Sequence, residues 1–175
     1  IGLDHLDVLG KSVEEIAREK AGIMRRKKAV FTSAEGGALD VFVTFAKDLG
    51  SELYLVFKKE RTPLNLQKNV VKLVPVEIKE RANKFFFSFR FEDEKFSNLA
   101  PGLLGEHQCI NASLACAAAL YLKRNGIVHF TEDKMRDSLR KTKIRGRLEL
   151  LHSLGGRVMV DVAHNPDGAK VLSQY

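Results

Sequence analysis

Tryptophan is absent from this chain, and only two cysteines and four prolines occur in it. The cysteines, Cys109 and Cys116, stand seven apart in one expected helix. At 1.5 Å of rise per residue their Cα atoms are about 10 Å apart, beyond disulfide reach. Their spacing and neighbours do not make a zinc site, and two reduced thiols suit a cytoplasmic protein. No apolar run is long enough to cross a bilayer, there is no secretory core region, and the chain does not begin with Met. The aromatics lack an RNA-binding pattern. A net charge of +7 would suit a polyanionic partner, yet the cations are scattered. Their densest run, Arg25-Arg26-Lys27-Lys28, reads as a solvated turn rather than a nucleic-acid contact. Basic residues also suit an enzyme with anionic substrates.

What is present is a globular composition. Of 175 residues, 45% are hydrophobic and 29% charged, enough for one sizeable core or for one domain and part of another. Ser12 and Glu15 form a capping box that starts a helix near Val13. Ala29–Thr32 reads as a strand. A helix follows from Gly36 to Gly50, then a strand at Leu53–Phe57. This alternation predicts an α/β layer architecture. Residues 58–83 read as short strands and loops, and Phe85–Phe91 as a strand with one buried face. Gln108–Lys123 reads as a helix whose Ala112, Ala115, Ala118 and Ala119 pack closely on a sheet. Thr131 opens another helix to Lys141, Lys143–Arg147 is a linker, Arg157–Val162 a strand, and a helix starts near Pro166. Ile1 reads as the tail of a strand and Tyr175 as part of a helix, so both ends look cut.

Val13, Ile16, Ala17, Lys20 and Met24 follow one helical stripe. A lysine on an apolar stripe is costly unless paired or neutralised, and desolvation exposes a nucleophilic amine. Lys20 is therefore either buried beside a carboxylate, chemically employed, or packed along its stem with its head in water.

Five motifs in order, I-G-L-D-H at 1–5, E-K-A-G-I at 19–23, G-E-H-Q-C-I-N-A at 105–112, G-R at 146–147 and D-V-A-H-N-P-D at 161–167, resemble the folylpolyglutamate synthase and dihydrofolate synthase family within the Mur-type ATP-dependent ligases. The resemblance implies an α/β fold. Residues 1–142 would be the latter part of a P-loop-type ATPase domain, 143–147 the linker, and 148–175 the start of a Rossmann-like ligase domain. It implies ATP and Mg²⁺ as cofactors, with folate or dihydropteroate and L-glutamate as substrates. ATP would phosphorylate a carboxylate, and the glutamate amine would displace phosphate to form an amide. Such chemistry needs cationic groups around the phosphate oxygens and two substrates held in line.

The roles carry over by position. His5 matches a magnesium ligand, although magnesium prefers oxygen and a histidine at a strand end is more often structural. Lys20 matches a carbamate-bearing lysine. Asn111 matches an ATP contact, with His107 and Gln108 shaping the same pocket; otherwise Asn111 is a helix-start residue. Arg147 matches a phosphate-binding arginine, for which the guanidinium fork is suited; otherwise it is a surface charge. Asp161 matches an ATP ligand and His164 a group on the substrate side. The plain alternatives are a helix-capping carboxylate at Asp161 and helix-start punctuation at Asn165-Pro166.

The sequence departs from the family pattern in three ways. It holds no phosphate loop of the G-x-x-x-x-G-K-[ST] type, G-A-H becomes Val162-Ala163-His164, and W-P-G-R becomes Ile144-Arg145-Gly146-Arg147. The resemblance therefore implies a central slice of a cytoplasmic enzyme, monomeric at full length, without nucleic-acid or membrane partners and inactive as a slice. The competing classes are another Mur-type amino-acid ligase and a noncatalytic nucleotide-binding or basic interaction module.

Overall fold

Ser12 starts the first helix as expected. Its Oγ accepts from the backbone N–H of Glu15 at 3.2 Å, and the Glu15 carboxylate reaches back to the N–H of Lys11 at 2.7 Å, a reciprocal cap. The computed structural model describes residues 10–61, 69–153, 155–173 and 175. Its elements are α1 (Val13–Ala21), β1 (Val30–Thr32), α2 (Gly36–Leu49), β2 (Leu53–Lys58), β3 (Val71–Arg81), β4 (Lys84–Phe91), β5 (Glu94–Leu99), α3 (His107–Arg124), α4 (Glu132–Lys141), β6 (Glu149–Ser153), β7 (Gly156–Val160) and α5 (Pro166–Leu172). They fall into two compact units. The first runs to Val76 and takes in Arg90–Glu94; the second is Glu77–Phe89 with Lys95–Tyr175. β3 contributes to both.

In the first unit β1, β2 and the start of β3 are parallel neighbours. Val30 lies opposite Leu53, and Leu53 lies opposite Val71. Parallel strands need a crossover, and α2 supplies the one between β1 and β2. Gly50 ends α2 at φ +60, a left-handed cap that glycine adopts without strain. The core gathers Ala17 and Ala21 of α1, Leu39, Phe42 and Val43 of α2, and Leu53, Leu55 and Phe57 of β2. β2 is buried throughout Leu53–Phe57, the continuous apolar run of a central parallel strand. Tyr54 stacks between Phe31 at 4.9 Å and Phe91 at 5.4 Å. The basic run after α1 is exposed, and Arg25 Nη1 donates to the carbonyls of Gly22 and Met24 at 2.8 and 3.0 Å, closing the helix end.

In the second unit the end of β3, then β4 and β5, form a meander. Ala82 and Asn83 turn the first hairpin with φ +49 and +58, the signature of a two-residue primed turn. Phe87, Phe89 and Phe96 are buried on one face, with ring centroids 6.1 and 5.1 Å apart, so the expectation of a one-sided phenylalanine strand holds. The packed face of α3 is Cys109, Ser113, Cys116, Ala117 and Leu120. This corrects the alanine expectation: Ala115 is exposed, and Ala112, Ala118 and Ala119 are half-buried. Thr131 caps α4 by accepting from Lys134 N–H at 3.2 Å. β6 and β7 pair antiparallel, and Asn165 caps α5. The mixed α/β expectation is met. Among the described residues no helix is long and apolar enough to cross a membrane, and both cysteines are buried free thiols.

Candidate nucleotide cleft

α3 starts abruptly after Gly105, whose φ is +104 and whose missing Cβ would lie 2.5 Å from His107 Cε1. Only glycine leaves room for the imidazole to fold back against the backbone there. The first helical turn then carries a short polar chain. Gln108 Nε2 stands 2.9 Å from His107 Nε2, and Asn111 Nδ2 donates to Gln108 Oε1 at 3.1 Å. An amide nitrogen only donates, so in this arrangement His107 Nε2 accepts and its proton resides on Nδ1. Burial lowers the pKa of His107, and the Arg147 cation pushes the same way against Asp161 and Glu106. The imidazole is therefore neutral at pH 7.

Arg147 is set by a turn tied to the loop after β7. Gly146 N–H donates to Glu149 Oε2, Leu148 N–H to Asp161 Oδ2, and Ala163 N–H to Asp161 Oδ1, each at 2.8 Å. Val162 N–H closes the set on the Gly146 carbonyl at 2.8 Å. Asp161 does not cap a helix. Asn165 does so, its Oδ1 accepting from Gly168 N–H at 2.8 Å. Both Asp161 oxygens instead hold backbone, so the carboxylate positions the arginine turn. His164 is exposed, and its Nδ1 donates to the Val162 carbonyl at 2.9 Å.

These elements enclose a cleft of about 410 Å³ whose lining includes His107, Gln108, Asn111 and Arg147. Its other walls are largely apolar, with Leu103, Leu139 and Ile144 coming from three separate segments. A largely apolar cleft whose lining also carries an amide and a guanidinium can hold a base and a phosphate together. A neighbouring hollow of about 430 Å³ shares Arg147 and adds Lys143 and Arg145, so Arg147 stands where the two meet. The apolar walls were not legible as site residues; the only signals were the departure at Ile144 and the two glycines that shape the turns.

Lys20 lies in the first unit and is not buried beside a carboxylate; its position matches the alternative of a packed stem with the head in water. Ile16, Ala17, Ala21 and Met24 carry the buried stripe, whereas Lys20 is exposed. Its helical angle lies within the stripe, but a four-carbon stem carries the ammonium past its neighbours to water. His5 lies outside the described residues. Among the described residues no group of three or more His, Cys, Asp or Glu side chains could hold a metal ion.

The mixed α/β architecture with its parallel strands matches that of proteins built from Mur-ligase-type domains. It resembles the dihydrofolate synthase/folylpolyglutamate synthase of Bacillus subtilis at 30% identity over 181 residues, 99% of this chain and 37% of that protein. The Escherichia coli protein of the same name matches at 30% over 173 residues, 99% of this chain and 35% of that one. The apo form of L. casei FPGS matches with a TM-score of 0.78 at 27% identity, over 99% of this chain and 40% of that one. For an FPGS–AMPPCP–folate complex the TM-score is 0.80 at 27% identity, over 99% and 39%. For Mycobacterium tuberculosis folylpolyglutamate synthase complexed with ADP it is 0.76 at 26%, over 99% and 36%. No protein-family model matches the chain. By sequence and by fold the chain is a homologue of the folylpolyglutamate and dihydrofolate synthases. It spans 34% to 37% of the length of the first curated relatives it matches.

Proposed function

We propose that this chain forms part of an ATP-dependent ligase that adds L-glutamate to folate or dihydropteroate. The observation that carries the reading is the cleft where His107, Gln108, Asn111 and Arg147 meet in a homologue of proteins solved with ADP, AMPPCP and folate. The apolar cleft takes the adenine and Asn111 its polar edge. Arg147 takes phosphate, where a charge-assisted fork is worth most. Asp161 keeps that arginine in place, and His107 with Gln108 orients Asn111. The γ-phosphoryl group passes to the substrate carboxylate. The glutamate amine attacks the acyl phosphate, phosphate leaves, and an amide forms.

In the same reading His164 serves the substrate side, and Lys20 carries a carbamate, for which its exposure gives carbon dioxide access. Magnesium accompanies ATP, with His5 among its ligands. Residues 143–147 link a central ATPase domain to the next domain, and the protein works as a cytoplasmic monomer. The test is ADP release by the protein expressed from its complete gene. Release should require glutamate together with folate or dihydropteroate, and Arg147→Ala should raise KM for ATP. ADP release that ignores glutamate, or that follows a different amino acid, overturns the reading.

A further inference from the structure

The meander of the second unit has two unlike faces. Phe87, Phe89 and Phe96 fill the buried side. Because side chains alternate along a strand, the positions between them project the opposite way. There Lys79, Arg81 and Lys95, with Phe86, Ser88 and Ser97, line a cleft of about 280 Å³ that includes one carboxylate, Glu77; Asn98 joins the lining because its φ of +56 breaks the alternation after Ser97. The three cations are exposed, and among the described residues none of them is in an ion pair. The cleft has a built frame: Asn98 N–H donates to Ser88 Oγ at 3.0 Å, and Arg136 Nη2 of α4 donates to the Ser97 carbonyl at 3.0 Å. Solvated sheet faces usually mix charges of both signs, since like charges on adjacent strands repel. Here three cations face one anion across three strands.

We propose that this face is a docking strip for an oligoglutamate chain, the growing tail of the product. The inference rests on the proposed ligase reading, which makes such a tail the molecule with many carboxylates nearest at hand. Each added glutamate brings one carboxylate, so a tail presents a row of anions to a row of cations. Serine and asparagine groups between them donate to carboxylate oxygens that the cations leave free. Exposed pairs are individually weak and are screened by salt, so several act together and a tail of one residue gains little. This suits an enzyme that must hold long tails yet release them.

Binding and turnover decide the matter separately, both on the protein expressed from its complete gene. Fluorescein-labelled pentaglutamate, linked through main-chain or side-chain carboxyls, should bind in low salt, and Lys79→Gln/Lys95→Gln should weaken it roughly three- to tenfold. In the ligase assay the same double variant should leave addition to a monoglutamate folate unchanged and raise KM for a pentaglutamate folate by a similar factor. Equal binding by wild type and variant, or a KM unchanged at every tail length, overturns the proposal. So does tighter binding of a single-stranded RNA through the same two lysines. Should the wild type bind pentaglutamate through these lysines yet ligate no glutamate, the ligase reading fails and the anion strip stands.

Discussion

The backbone N–H of Val162 donates to the carbonyl of Gly146 at 2.8 Å, and a Cβ on Gly146 would stand 2.7 Å from Val162 Cγ1. The two positions are thus one structural unit, with the valine methyl seated on the bare face of the glycine. Gly146 also has φ +68, which L side chains adopt at a cost. Gly146→Ala should therefore destabilise the protein by about 2–3 kcal/mol, combining backbone strain with the clash. In a Val162→Gly background the clash disappears and about 1 kcal/mol should remain. Urea unfolding of the four members of this cycle gives the coupling. Equal costs in the two backgrounds would show that Val162 does not confine Gly146.

The thiols are packing groups. Cys109 and Cys116 lie on the buried face of α3, and burial pushes the Cys116 thiol up to about 12. A thiol in that state offers almost no thiolate at neutral pH. Native protein should leave Cys109 and Cys116 unmodified by iodoacetamide at pH 7.5 while denatured protein reacts at both, as peptide mass mapping would read. Cys116→Ala should cost about 1 kcal/mol, because it removes one small buried group. Rapid labelling of native Cys116 would contradict its burial.

Local signals made much of the fold legible. Ser12, Thr131 and Asn165 each accept a backbone N–H three residues on, so short-range chemistry alone announced three helix starts. β3 was hidden because Pro75 sits within it and Val71, Val74 and Val76 break strict alternation; its pairing with β2 decides its conformation. β5 and β6 were missed for a similar reason. In Glu94–Leu99 only Phe96 and Leu99 are buried, and β6 is defined by pairing with β7. In the cleft, motif order pointed to Asn111 and Arg147. The work of Asp161 was illegible, since it depends on the N–H of Leu148, thirteen residues away. Lys20 shows the limit of periodicity: its helical angle left burial, chemical use and a solvated head all open, and its exposure matches the solvated head.

Lys20 separates a chemical role from a packing role. It is exposed on α1, so Lys20→Ala should change the unfolding free energy by no more than about 0.5 kcal/mol. If the lysine carries a carbamate, the same change should cut ligase activity by about tenfold or more, an order of magnitude that one lost transition-state contact commonly supplies. Added bicarbonate should raise wild-type activity and leave the variant unmoved. Full activity in Lys20→Ala would end the carbamate assignment, and a large loss of stability would contradict its exposed position.

His107 gives the cleft a pH dependence with a definite sign. Burial, reinforced by Arg147, lowers its pKa below the usual 6.5, so the unfolded chain takes up the proton first as pH falls. The stability contributed by the neutral ring is complete above about pH 6.5. It declines as the pH drops from there toward the folded value. Protonation also puts a proton on the Nε2 that accepts from Gln108, which frees the amide holding Asn111. ATP affinity should therefore weaken between pH 7 and pH 5, and His107→Asn should flatten both the stability and the affinity slopes. Asp161 opposes the shift with its negative charge, so Asp161→Asn should move the His107 titration lower still. The same change should leave Leu148 or Ala163 N–H facing an amide nitrogen and cost about 1–3 kcal/mol. Imidazole proton resonances followed by NMR would read the titration, and a His107 midpoint at or above 6.5 in the wild type would refute the neutral-ring account.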